Sequence, residues 1–476
     1  MGKLTTIFKD TAIYGLSSII GRFLNYLLVP LYTAQFSAAS GAYGIITNIY
    51  AYVALAMVLL TFGMETTYFR FTNKTHTDSE TVYGTTLITV GSISLTFAVL
   101  VLLLLSPISQ LMGYGDHPDY VGVMAVTIAI DAFLCIPFAH LRQQRKALKL
   151  LNIMVSILLN LIYFYFMDGK DVGYVFYINL VCTVMLAVCL ITEYTGFRWK
   201  LDTKLLRTML SYSWPILVLG IAGILNQTAD KMLFPYIYKG SDMHAQLGIY
   251  GACSKIAMIM AMITQAFRFA YEPIVFAGVK DKDQREMYTK AMKYFIIFTL
   301  LAFLIVVGYI DLLKYIVRNP DYWVGLKVVP IVMAAEIMMG IYFNLSFWYK
   351  IIDKTIWGAV FSGIGCAVLL LVNIIFVPKY GFMACAWGGF AGYGVAMLAS
   401  YFVGQKYYPL NYPLKDIALY VWLTIMAFTT MVIVRGSESL LVSLSVNTLL
   451  ILLFVAVIIK RDLPMSKLPV MGKYFK

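Results

Sequence analysis

The 476-residue sequence has few charged residues and lacks long hydrophilic stretches. Only 13% of its residues are charged, about half the fraction usual in soluble domains, and 61% are hydrophobic. No stretch between apolar segments is long enough to form a separate soluble domain. The composition therefore excludes an ordinary soluble protein and indicates a polytopic membrane protein.

Motifs of several enzyme classes are also missing. There is no GxxxxGK[ST] phosphate-binding loop, no HExxH zinc motif, no GxSxG nucleophile elbow and no large loop with paired carboxylates. The six cysteines lie in apolar segments without a CxxC pair, and the four histidines are scattered. The net charge of +13 comes from short loops between apolar segments. We therefore expect no enzymatic activity, no metal site, no cofactor and no nucleic-acid partner.

About fourteen apolar segments are long enough to cross a bilayer, for which a helix needs roughly 20 residues. They run approximately over residues 11–33, 43–66, 83–105, 118–140, 148–168, 172–193, 213–237, 247–271, 291–310, 322–347, 356–377, 382–404, 415–434 and 440–460. The predicted fold class is all-α, a polytopic membrane protein with about fourteen transmembrane helices.

The basic residues predict the orientation of these helices. Lys and Arg concentrate in alternate loops, as in residues 142–149 and 198–207, whereas the loops on the opposite side carry few. Cytoplasmic loops are enriched in Lys and Arg, and every predicted span alternates correctly under this rule. We therefore expect both termini to be cytoplasmic.

An internal repeat divides the chain into two halves. Pro30 near the end of the first span corresponds to Pro235 near the end of the seventh, and Tyr43-Gly44 corresponds to Tyr250-Gly251. An even number of spans separates the halves, so they are parallel repeats about an axis along the membrane normal. The predicted parts are an N-lobe over 1–200 (helices 1–6), a C-lobe over 201–410 (helices 7–12), and two additional helices with a basic tail over 411–476.

Four basic residues inside the spans are predicted to bind substrate. Arg22 lies at the midpoint of the first span, where a charge costs at least ~2.5–3.5 kcal/mol on insertion scales and must face a wet cavity or a partner. Lys231 lies in the seventh span, and Lys255 and Arg268 lie in the eighth. If these helices face one another, their cations line one central cavity. A cationic cavity suits an anionic group such as phosphate.

Acidic residues inside the spans are candidates for coupling transport to H⁺ or Na⁺. The candidates are Asp230, Asp131, Glu336 and Glu65. An intramembrane ionisable residue is by default a functional hypothesis. For Asp131 and Glu336 an alternative stays open, namely a hydrogen-bonded packing group between helices.

Several of these charged residues also have purely structural alternatives. Arg268 and Glu65 lie near the inner ends of their spans and can extend to the cytoplasmic interface. Lys255 can pair with Asp230, which lowers its insertion cost. Asp230 and Lys231 are adjacent and point about 100° apart on a helix, so we do not expect them to pair with each other.

Three stretches resemble a known family. They are the opening FKDTAIYGLSSIIGRFLNYLLVPLYT followed by Tyr43-Gly44, GMETTYFRF at Gly63–Phe71, and VPKYGFMACAWG at Val377–Gly388. They resemble the polysaccharide-transporter (Wzx-type flippase) branch of the multidrug/oligosaccharidyl-lipid/polysaccharide exporter superfamily. The resemblance implies two six-helix lobes around a cationic cavity lined by helices one, two, seven and eight. The second span departs from this pattern because its nearest basic residue, Arg70, lies beyond its inner end.

The resemblance also implies a function. It predicts a flippase that moves undecaprenyl-diphosphate-linked oligosaccharide units, such as O-antigen, capsule or exopolysaccharide repeats, across the bacterial inner membrane by alternating access. The implied partners are this lipid-linked substrate, membrane lipids, and the polysaccharide polymerase and chain-length machinery. The alternatives are a lipid II flippase, a cation-coupled multidrug extruder of the same superfamily, and a membrane polymerase or ligase. The basic bias of the cavity argues against the extruder, and the lack of a large outer loop argues against the enzyme.

Overall fold

The computed structural model describes a chain of helices. It covers residues 28–73, 78–143, 158–160, 162, 171–195, 200–276, 282–352, 354–437 and 439–462. Within these ranges there is no β-strand, and the all-α prediction is confirmed. Most of the first predicted span, including Arg22, and most of the fifth lie outside the described residues.

The first half of the described chain contains both short and membrane-length helices. They are α1 Leu28–Gln35, α2 Ala42–Thr61, α3 Met64–Thr72, α4 Ser79–Leu103, α5 Leu105–Leu111, α6 Pro118–Gln143, α7 Gly173–Cys189, α8 Ile191–Thr195 and α9 Thr203–Ile237. Aspartates begin two of the long ones. Asp78 accepts hydrogen bonds from the backbone N–H groups of the first turn of α4, and Asp202 does the same for α9, which satisfies donors that have no partner within the helix.

Most of the helices in the rest of the described chain are long and apolar. They are α10 Met243–Phe276, α11 Lys282–Gly308, α12 Ile310–Leu313, α13 Val329–Leu345, α14 Phe347–Ile351, α15 Ile356–Tyr380, α16 Phe382–Tyr407, α17 Leu414–Ser437 and α18 Leu440–Arg461. A 3₁₀ segment, Pro320–Val328, leads into α13.

Eleven helical segments in the described ranges are long and apolar enough to cross a membrane. They correspond to the predicted spans two to four and seven to fourteen. The sixth predicted span corresponds to α7, which is apolar but shorter. The chain is therefore a multi-pass membrane protein, and the count of fourteen stays a prediction.

The described helices form two compact units. The first unit contains the described parts of Ile20–Ala252 and Gly358–Gly392, and the second contains those of Cys253–Trp357 and Tyr393–Lys476. The predicted lobes 1–200 and 201–410 and the C-terminal part 411–476 stay a prediction.

In the first unit, α2 and the start of α10 are in direct backbone contact. A Cβ atom on Gly44 would collide with the carbonyl oxygen of His244, and one on Gly251 would collide with the side chain of Thr47. Only glycine allows this approach at both positions, because any larger residue would push the helices apart. The close crossing brings the first turns of α10 against α2, next to the end of α9.

In the second unit, ion pairs connect α11 to the two C-terminal helices. Lys293 on α11 lies 2.7 Å from Asp416 on α17 and also contacts Asp462 just after α18. Towards the other end of α11, Arg435 on α17 lies 2.9 Å from Asp311 on the adjoining α12. Charged contacts therefore attach α17 at both ends of α11 and attach α18 at the end that carries Lys293.

Candidate functional site

The most deeply buried acid of the predicted set is Asp230. It lies near the end of α9, and only 5% of its surface is exposed. Its Oδ1 accepts a hydrogen bond from the backbone N–H of Lys231 at 2.8 Å, and its Oδ2 accepts one from the Tyr250 hydroxyl at 2.7 Å. A buried carboxylate with these two donors is fixed in position, but it still needs a cation to balance its charge.

Lys231 supplies that cation, and the expectation that Asp230 and Lys231 do not pair is wrong. Lys231 Nζ lies 3.2 Å from Oδ1 and 3.4 Å from Oδ2 of Asp230. The four-carbon stem of lysine is flexible enough to fold back across the 100° between adjacent helical positions. Nζ also donates to the carbonyl of Gln227, one turn earlier, which fixes this folded conformation.

Tyr250 completes the group and brings in α10. Its ring centroid lies 5.3 Å from Lys231 Nζ, so the ammonium faces both the carboxylate and the aromatic ring. We refer to Asp230, Lys231 and Tyr250 as the α9–α10 triad. The sequence pairs Tyr250 with Tyr43 in the repeat but gives no sign that its hydroxyl bonds an acid.

Asn48 holds the triad from α2 and was not predicted. Its side chain is fully buried, its Nδ2 donates to the carbonyl of Lys231 at 2.8 Å, and its Oδ1 accepts from the Tyr114 hydroxyl at 2.8 Å. Burial raises the pKa of Tyr114, whose hydroxyl donates this hydrogen bond. A polar Asn within an otherwise apolar span was the signal available in the sequence.

None of the other predicted basic residues belongs to the described part of the first unit. Lys255 is half-buried on α10, and Arg268 is exposed near the end of that helix; both belong to the second unit, whereas Lys231 belongs to the first. The guanidinium carbon of Arg268 lies 5.2 Å from the ring centroid of Phe343. Arg22 lies outside the described residues, so the shared cavity stays a prediction.

The remaining predicted acids have different surroundings from Asp230. Asp131 on α6 is half-buried and accepts a 3.1 Å hydrogen bond from Thr183 on α7, as the packing alternative predicts. Glu65 is partly exposed and forms an ion pair with Arg142, whose guanidinium also lies over the Phe69 ring. Glu336 is half-buried on α13.

The triad is suited to ionic chemistry. A carboxylate held by two fixed donors shares an ammonium that sits on a flexible stem, and 24% of the lysine side chain is exposed. Such a pair can exchange partners with an incoming ion. In the part of the chain that the structure describes, no group of three or more His, Cys, Asp or Glu side chains is placed to hold a metal ion.

The fold is similar to those of known membrane transporters. The structure of the lipid II flippase MurJ in an inward closed conformation gives a TM-score of 0.74 at 14% identity, with coverage of 94% of this chain and 99% of that chain. An inward-facing multidrug resistance MATE family transporter of the MOP superfamily gives 0.62 at 14% identity, over 82% of this chain and 93% of the other. The MATE multidrug transporter DinF-BH gives 0.61 at 16%, over 84% and 94%.

The family follows from the sequence itself. Residues 39–318 match the polysaccharide biosynthesis protein family, which is more than half of the chain, and the chain belongs to that family. No curated protein matches the chain significantly by sequence. The resemblance to the polysaccharide-transporter branch of the superfamily is thereby confirmed.

Proposed function

We propose that the protein is a flippase for polyprenyl-diphosphate-linked oligosaccharides in the bacterial cytoplasmic membrane. It moves a repeat unit of O-antigen, capsule or exopolysaccharide from the cytoplasmic to the outer leaflet by alternating access, with both of its own termini in the cytoplasm. The observation that carries the proposal is an ammonium group, Lys231, maintained inside an apolar span of a polysaccharide biosynthesis protein. A cation at that depth suits the diphosphate of such a substrate.

Reconstitution into liposomes tests this function. Undecaprenyl-diphosphate-linked oligosaccharide is incorporated with the protein, and translocation is measured as the access of an external lectin to the sugar. We expect transport by the wild type and by Lys231→Arg, and slower transport by Lys231→Gln and by Arg22→Ala. Equal transport by Lys231→Gln and the wild type contradicts a role for this cation.

We propose Asp230 as the residue that couples transport to an H⁺ or Na⁺ gradient. It is the most buried of the candidate acids and already holds a positive charge. Asp230→Asn is expected to remove the stimulation of transport by a gradient while substrate binding persists. If a gradient still stimulates transport by Asp230→Asn, the coupling role passes to Asp131, Glu336 or Glu65. If only one of the H⁺ and Na⁺ gradients stimulates the wild type, that result identifies the coupling ion.

A lipid II flippase is the second candidate, because the fold similarity to MurJ extends over 94% of this chain. Lipid II also carries a diphosphate, so the two functions differ in the sugar. Complementation distinguishes them: growth of cells depleted of their lipid II flippase supports the second candidate, and restored surface polysaccharide in a strain lacking its O-unit flippase supports the first.

A further inference from the structure

The Lys231 ammonium is already occupied by the protein. Its Nζ lies 3.2 and 3.4 Å from Oδ1 and Oδ2 of Asp230 and 2.9 Å from the carbonyl oxygen of Gln227. An ammonium has three donors, and these contacts place three protein acceptors within their reach. An anionic substrate that binds Lys231 therefore competes with Asp230 for the ammonium.

The two partners of this ion pair differ in how firmly they are held. Asp230 is almost fully buried and is fixed from two sides, by a backbone N–H and by the Tyr250 hydroxyl. Lys231 is partly exposed, and its ammonium sits at the end of a long flexible stem. When the pair separates, the lysine is the member that moves.

We propose that Asp230 competes with the substrate diphosphate for the ammonium of Lys231. Without substrate, Asp230 neutralises the ammonium inside the span. With substrate, the ammonium turns to the diphosphate, while Tyr250 and the backbone N–H continue to solvate the carboxylate. Asp230 is thus a positioning residue that weakens binding of the anion and thereby aids its release. This inference rests on the proposed function.

The competition predicts that replacing Asp230 and replacing Tyr250 change the affinity for the anion in opposite directions. Asp230→Asn removes the competitor and frees the lysine, so affinity for the anion rises. Tyr250→Phe removes a donor to the carboxylate, which then attracts the ammonium more strongly, so affinity for the anion falls. A merely structural role for both residues would weaken binding in both variants.

The test measures binding of undecaprenyl diphosphate to the full-length protein in detergent, with undecaprenol as the uncharged control ligand. We expect Asp230→Asn to bind the diphosphate about twofold to fivefold more tightly than the wild type, the scale of one partly exposed ion pair. Tyr250→Phe should bind it more weakly, and Lys231→Gln should lose part of the wild type's preference for the diphosphate over undecaprenol. Binding of undecaprenol should be the same in all variants.

A matched control is Tyr238→Phe. Its hydroxyl also donates to an aspartate, Asp242, but outside the spans, so diphosphate binding should not change. Equal or weaker diphosphate binding by Asp230→Asn overturns the competition and leaves the proposed function intact. If Asp230→Asn does not fold, unchanged or tighter binding of the diphosphate by Tyr250→Phe also overturns the competition. If the wild type does not prefer the diphosphate over undecaprenol, both the proposed function and this inference fail.

Discussion

The side-chain amide of Asn48 donates to the backbone carbonyl of Lys231, and this is the carbonyl that Pro235 leaves without a donor. In an α-helix the carbonyl of residue 231 accepts from the N–H of residue 235, and proline has none. A residue of α2 thus replaces the missing bond of α9, at 2.8 Å. The proline therefore fixes where the two helices meet as well as the direction of α9.

Replacement of Asn48 tests this relationship. Asn48→Leu leaves the carbonyl of Lys231 and the hydroxyl of Tyr114 without their partner, and we expect it to lower the free energy of unfolding by about 1–3 kcal/mol. Pro235→Ala restores an N–H to α9, so Asn48→Leu should lower the free energy of unfolding by less when Pro235→Ala is also present. Pro215→Ala, in the same helix but far from Asn48, is the control and should leave the cost unchanged. Thermal unfolding in detergent measures all five variants, and an equal cost in every background contradicts the explanation.

The crossing of α2 and α10 gives a second prediction. Gly44→Ala places a methyl group against the carbonyl oxygen of His244, and we expect a loss of stability of about 1–3 kcal/mol or more from overpacking of two helix backbones. A Cβ on Gly389 in α16 would meet no atom within 4 Å. Gly389→Ala is thus a matched control, with a neutral or slightly stabilising effect from its higher helix propensity. Similar melting temperatures for both variants would argue against the close crossing.

The ion pairs of Lys293 with Asp416 and Asp462 in the second unit give a third prediction. Lys293→Met leaves Asp462, whose side chain is 7% exposed, without its nearest cation, and removing one partner of a buried pair costs about 3–5 kcal/mol. The double variant Lys293→Met/Asp462→Asn removes both charges and should recover most of that loss. The melting temperatures of the single and double variants measure this, and no recovery would mean that the lysine acts through packing alone.

Asp131 is expected to behave differently from Asp230. The amide oxygen of Asp131→Asn can still accept the hydrogen bond of Thr183, so unfolding free energy should change by less than about 1 kcal/mol. Gradient-stimulated transport should persist in Asp131→Asn and disappear in Asp230→Asn. The reverse result would assign the coupling role to Asp131.

The hydrogen bonds of Asp242, in the loop between α9 and α10, predict a small loss of stability in acid. Hydrogen bonds from the Gln246 amide and the Tyr238 hydroxyl hold the pKa of Asp242 below its usual range. The stabilisation is thus present above the pKa of the unfolded chain and is lost as pH falls through the lower pKa of the folded state. Because this side chain is exposed, the effect is less than about 1 kcal/mol. The wild type should melt above Asp242→Asn at pH 7, and the difference should shrink in acid.

The sequence predicted most of the fold because apolar length and loop charge are local signals. The predicted span 213–237 lies within α9, and 440–460 lies within α18. Pairings depend on side-chain conformation and on neighbouring helices, which one sequence does not encode locally. The Asp230–Lys231 pair was therefore misjudged, and the roles of Asn48 and Tyr250 were not predicted. The local signals were Asn48 itself, a polar residue in an apolar span, and Pro235, which leaves a helix carbonyl in need of an external donor.

The attachments of α17 and α18 determine what moves with α11. Lys293 and Asp311 are separated by about 27 Å of helical rise, close to the thickness of the hydrocarbon core. Two charged contacts at that separation oppose sliding of α17 along α11, and α18 shares the contact at Lys293. We therefore expect these three helices to move as one body in the proposed transport cycle.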